Sequence, residues 1–118
     1  MAATQFEATV RHRDGQAVIG LAGDIDRGAE AQLSAAYDHA VANANGDGSL
    51  LLNFARVAYI NSTGIALIVG LLARARQERR QVTACGLSPH YREIFEITRL
   101  SDFMTIVPGD EAPIDTRR

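Results

Sequence analysis

Apolar and polar positions alternate at the start of the chain. Phe6, Ala8 and Val10 are separated by polar partners, the period-two pattern of a half-buried strand. Arg13-Asp14-Gly15 supplies Asp-Gly turn chemistry before the apolar run Ala17 to Ala22, so the opening reads as a β-hairpin. From Asp26 the period changes: Ala29, Leu33, Ala36, Tyr37, Ala40 and Val41 recur at spacings of three and four, which predicts an amphipathic helix with Asp26 placed to cap it. The Asn and Gly cluster from Asn43 to Gly48 ends that helix in a loop. The run Leu50-Leu51-Leu52-Asn53-Phe54 that follows is short and continuously apolar, as suits a central strand buried on both faces.

Val57-Ala58-Tyr59-Ile60 then reads as a separate, short, non-central segment. It leads into the turn Asn61-Ser62-Thr63-Gly64 and a second helix from about Ile65 to Arg80. Ile65, Leu67, Ile68, Val69, Leu71 and Leu72 cover more of that helix than one core stripe requires, leaving an apolar remnant next to Ser62 that suits a docking surface. Arg74, Arg76, Arg79 and Arg80 gather where a helix C-terminus favours cations. Val82 to Cys85 is a third buried strand, Ser88-Pro89 opens a short helix through Thr98, and Phe103 to Val107 adds a last strand or helix turn. Strands alternating with helices imply parallel pairing through right-handed crossovers, with the hairpin adding antiparallel strands at one side. The expected class is α/β: a mixed sheet of four or five strands with helices packed mainly on one face. Residues 1–107 form one domain, and 108–118, charged and carrying two prolines, form a poorly ordered tail.

Composition narrows the function. The 118 residues are 47% hydrophobic, enough for one packed core, and a net charge of −2 supplies no basic field for nucleic acid. Cys85, the single cysteine, can form no internal disulfide; it fits a reducing compartment and packs as a small apolar residue in its strand. Met1 to Val10 holds no apolar signal core, and the stretch Ile65 to Ala73 falls far short of the roughly 20 residues a bilayer span needs. The expectation is a soluble, cytoplasmic protein without membrane insertion. His12, His39 and His90 lack ligand spacing to one another or to Cys85, so no metal is expected. Asp24 and Asp26, two apart, could serve acid-base chemistry or a cation, but no histidine completes such a site and a capped, partner-facing loop accounts for both. With no Ser-His-Asp set and no phosphate-cradling loop, neither enzymatic activity nor a cofactor is expected.

Four ordered blocks carry a resemblance: Gly23-Asp24-Ile25-Asp26, Leu50-Leu51-Leu52-Asn53-Phe54, Tyr59-Ile60-Asn61-Ser62-Thr63-Gly64-Ile65 and Ala84-Cys85-Gly86-Leu87-Ser88-Pro89. Together they resemble anti-sigma factor antagonists of the STAS domain superfamily, over roughly residues 6 to 107. The resemblance implies a STAS-like fold and a phosphoacceptor at Ser62, with Thr63 as the alternative. It implies a partner-binding face made of Asp24, Asp26, Asn61, Ser62, Thr63 and Gly64. The implied partner is an anti-sigma factor with serine-kinase activity, bound by the unphosphorylated form, with a phosphatase for reactivation and room for a homodimer. Asn61 stands where the family usually has aspartate, which removes a charge that a partner could read. The competing reading is a STAS scaffold or accessory subunit, of a signalling complex or a lipid transporter, without a phosphorylation cycle. Locally, either Asn61 or Ser62 can cap the following helix. Gly64 serves either tight turn geometry or the approach of a partner's backbone.

Overall fold

A computed structural model of the chain describes residues 5–13, 15–42 and 48–108. The hairpin is β1 (Glu7–Arg13) and β2 (Gln16–Ile25), paired antiparallel with Val10 opposite Ile19. A single 3-10 turn, Arg27–Ala29, leads into α1 (Glu30–Ala42), followed by β3 (Leu50–Ile60), α2 (Ser62–Gln77), β4 (Val82–Cys85) and α3 (Pro89–Ile97). A second 3-10 turn, Leu100–Asp102, precedes the two-residue β5 (Thr105–Ile106), so the last segment is a strand. The five strands lie in sequence order across one sheet, and every pairing after the hairpin is parallel.

Strand alternation assigns the two faces of the sheet. Ile19 and Leu21 of β2, Leu52 and Phe54 of β3 and Ala84 of β4 share one core with Leu33 and Tyr37 of α1, Ile68 and Leu72 of α2 and Phe95 of α3. The residues of opposite parity, Val18, Leu51 and Cys85, form a separate small cluster that includes no helix residue among those described. All three helices therefore cover the same face, as expected for this α/β class. Phe54 and Phe95 meet edge to face at 5.8 Å, locking α3 to β3. Each fully buried Leu, Ile or Phe in this layer contributes about 1.5–3 kcal/mol.

Two elements differ from the sequence expectation. Val57 to Ile60 is no separate segment: β3 runs unbroken for 11 residues and is the third of five strands. Ala55 and Arg56, between the two apolar runs, are exposed because β4 ends at Cys85, opposite Asn53, while β3 continues beside β2. Register shifts between Gly20 and Ala22 and between Gly23 and Asp24 absorb the irregularity. The second difference is that α2 starts at Ser62 and stops at Gln77, leaving Arg79 and Arg80 beyond its last turn. Arg79 has φ 60, a conformation that glycine usually supplies at a helix end. Asp14 of the hairpin turn, residues 43–47 of the loop and 109–118 of the tail lie outside the described residues.

Candidate functional site

Because β2 and β3 are parallel and Ile25 stands opposite Ile60, the segments that follow both strands leave the sheet at the same end. That end, at the carboxyl termini of parallel strands, is where α/β sheets commonly place their sites. It brings Asp24 and Asp26, distant in sequence, beside the turn from Asn61 to Gly64.

Each loop is held by its own side chains. Asp26 is extended, and its Oδ1 accepts the Gly28 N–H at 2.9 Å, starting the 3-10 turn before α1. Asn61 is the N-cap of α2: its Oδ1 accepts the Gly64 N–H at 2.8 Å and its carbonyl accepts the Ile65 N–H at 2.9 Å. Of the two candidate caps, Asn61 does the capping. Ser62 and Thr63 are the first two helical residues, both exposed, and their N–H groups precede those engaged by Asn61.

The loops are joined through backbone. The Asn61 N–H donates to the Ile25 carbonyl at 3.3 Å, and a Cβ placed on buried Gly64 would lie 1.9 Å from that same oxygen. Only glycine lets the first turn of α2 come this close to the end of β2. Its structural task is thus tight turn geometry, between the acidic loop and the serine turn.

Tyr91 was not singled out by the sequence. Its hydroxyl accepts the Ile60 N–H at 2.9 Å, so α3 holds the last residue of β3 immediately before the turn. No sequence signal marks it beyond its position in the first turn after Ser88-Pro89. Of the six apolar positions expected to overfill α2, Ile68, Leu71 and Leu72 are buried, Ile65 and Leu67 are half-buried, and only Val69, about two turns from Ser62, is exposed; Tyr59, on β3, is the other exposed large apolar residue near the turn in sequence.

At the other end of α2 a charged cluster ties it to α1. The Tyr37 hydroxyl donates to Glu78 Oε1 at 2.8 Å, Arg74 pairs with Asp38 at 2.6 Å, and the Arg74 guanidinium lies 4.2 Å from the centre of the Tyr37 ring. Burial, reinforced by the bond to Glu78, pushes the Tyr37 phenol up to about 12. The bonds from Tyr37 and Arg80 hold the Glu78 carboxyl below its usual range, and the bond to Asp38 raises Arg74. Among the described residues no three His, Cys, Asp or Glu side chains come together as a metal site, and no helix is long and apolar enough to cross a membrane.

The family model described as "Mlab, STAS domain" matches residues 8–108. The chain is 34% identical over 79 residues to a Bordetella bronchiseptica protein bearing the name of the anti-sigma factor antagonist BtrV; the match covers 67% of this chain and 60% of that relative's length. Two solved structures share the fold. One is an anti-sigma factor antagonist from Mycobacterium paratuberculosis (TM-score 0.68, 21% identity, 86% of this chain and 85% of that one). The other is the Bacillus cell fate determinant SpoIIAA in its phosphorylated form (TM-score 0.66, 23% identity, 96% of this chain and 100% of that one). The match from residue 8 to 108, on a five-stranded mixed sheet with its helices on one face, establishes that this chain belongs to the STAS domain family.

Proposed function

We propose that this protein is an anti-sigma factor antagonist. Unphosphorylated, it binds an anti-sigma factor with serine-kinase activity and so frees a sigma factor for transcription; phosphorylation of Ser62 switches it off. The observation that carries this reading is the placement of Ser62. Its side chain is exposed at the first position of α2 beside the acidic loop, while Asn61 supplies the cap, so the hydroxyl can change without loss of the helix start. The relative's name and the solved phosphorylated form of SpoIIAA support it.

In the proposed step the Ser62 Oγ attacks the terminal phosphoryl group of ATP held by the partner, loses its proton and releases ADP. Thr63 is the lesser acceptor. The product carries about two negative charges near Asp24 and Asp26. The free N–H groups and dipole of the α2 N-terminus tolerate that charge within the molecule. A docked partner surface would have to desolvate it, so binding is lost without refolding. Asp24, Asp26 and Asn61 complete the partner-binding face, Gly64 fixes its geometry, and a phosphatase resets the switch. This is a cytoplasmic, non-catalytic role that needs no cofactor.

One feature favours the second reading, a STAS accessory subunit or scaffold without a phosphorylation cycle: Asn61 leaves the serine turn without the acid usual in the switch proteins. Affinity capture from native cell extract separates the two. Recovery of an ATP-binding anti-sigma factor supports the antagonist; recovery of a transporter subunit instead overturns it.

A further inference from the structure

Gly70 lies in the middle of α2, exposed, and a Cβ added there would meet nothing within 4 Å. A glycine inside a helix weakens it relative to alanine. At Gly64 the fold uses the missing side chain for a close approach; at Gly70 it uses it for nothing internal. What the missing side chain leaves open is a groove of about 330 Å³ between α1 and α2, floored by Leu33, Tyr37, Leu67 and Leu71.

The two helices run side by side in one direction, since Gly64 meets Ile25 just before α1, and Arg74 and Glu78 meet Asp38 and Tyr37 further along it. The groove therefore begins beside the Asp26 and Ser62 end. Arg74 closes the other end, clamped over the Tyr37 ring and bonded to Asp38 and Glu78. The groove wall is thus set before any partner arrives. Of its two charged lining residues, Arg74 is already matched, whereas Glu30 makes no ion pair among the described residues and is the charge the rim presents.

From this geometry we propose that the α1–α2 groove receives an apolar side chain of the anti-sigma factor, flanked on the partner by a cationic residue that faces Glu30. The proposal rests on the antagonist reading and extends its docking face from the serine turn along α2. Apolar burial in the groove supplies affinity, and the acidic rim selects for a basic neighbour. A phosphate on Ser62, about one helical turn from Ala66 at the groove mouth, occupies the path by which the partner surface reaches it.

The test measures binding of the captured, purified anti-sigma factor to full-length unphosphorylated variants by calorimetry, with thermal melts of each. Gly70→Leu projects a side chain into the groove from a position where the added Cβ meets nothing within 4 Å, so it should melt no lower than wild type yet bind at least about tenfold more weakly. Gly70→Ala should lose less. Glu30→Lys, on the exposed rim, should weaken binding at least about threefold, with the loss shrinking as salt rises. Wild-type affinity in both Gly70→Leu and Glu30→Lys overturns the groove assignment while leaving the antagonist reading intact. Failure of the wild type to bind any anti-sigma factor removes both. A concentration-dependent dimer that Gly70→Leu abolishes overturns the proposal by giving the groove to a second copy of this chain.

Discussion

Two glycines on one helix should answer the same substitution with opposite signs. Alanine at position 64 places its Cβ 1.9 Å from the Ile25 carbonyl oxygen, 2.8 Å from its carbon and 3.0 Å from Ile60 Cγ2, whereas ordinary contact starts at 3.4 Å. Two of these three neighbours are backbone, so relief requires the start of α2 and the end of β2 to part by about 1.5 Å, a rearrangement of the overpacking kind costing about 1–3 kcal/mol. The same movement breaks the 3.3 Å bond from Asn61 N–H to Ile25, worth about 1 kcal/mol. Alanine's better helix propensity returns about 1 kcal/mol. The net loss is about 2 kcal/mol, or about 8 °C in melting temperature for a domain of this size. Gly70→Ala meets open space and keeps only the propensity gain, so it should be about 1 kcal/mol more stable than wild type. Urea titrations of the three proteins, with unchanged m-values, read both numbers. If Gly64→Ala matches or exceeds wild-type stability, the close approach that joins the acidic loop to the serine turn is not what assembles the site.

Tyr37, raised from 10.0 to about 12, should make stability depend on pH in the alkaline range. Because the unfolded chain releases this proton first, its contribution is complete below pH 10 and is lost between pH 10 and 12. The pKa difference sets a ceiling of about 3 kcal/mol on the loss, which solvent screening lowers, and Tyr37→Phe should flatten denaturation midpoints over that range. Tyr91→Phe strands the Ile60 N–H and should cost about 1–3 kcal/mol, with faster hydrogen exchange at Ile60 and Asn61; unchanged exchange would refute the tie between α3 and the turn. Arg79→Gly relieves a left-handed residue at the end of α2 and should raise stability by about 1 kcal/mol in thermal melts; a loss instead would refute strain there.

The strands and helices were legible in sequence wherever period and burial agree. Leu50, Leu52 and Phe54 on one face and Leu51 on the other are buried because the strand lies mid-sheet, and Ala29 through Val41 keep helical spacing because α1 covers one face of that sheet. The far half of β3 was missed for a physical reason. Past the end of β4 one edge of the strand loses its neighbour, and its pattern of exposed Ala55, Arg56 and Ala58 no longer resembles a buried strand. At the candidate site, Ser62 and the capping residues Asp26 and Asn61 are visible as chain punctuation, since caps act over two or three residues. The contacts that unite them were not visible: Gly64 against Ile25 and Tyr91 against Ile60 each span about 30 residues or more and depend on the crossing of elements, not on any local pattern.

The central claim, that one hydroxyl at the head of α2 controls partner binding, is tested most directly by phosphorylating the protein and weighing its affinity in the same preparation. Wild type, Ser62→Ala and Ser62→Asp are incubated with the captured anti-sigma factor and ATP, the modified site is located by mass spectrometry, and affinities are measured before and after. The account predicts phosphate on Ser62 of the wild type and none at that position in Ser62→Ala, which should still fold and bind. Binding of the phosphoprotein should weaken tenfold or more, about 1.4 kcal/mol, with a smaller loss for Ser62→Asp because a carboxylate carries only part of the charge. Absence of phosphate from both Ser62 and Thr63, or an affinity that phosphate leaves unchanged, would contradict the switch and leave the accessory-subunit reading in its place.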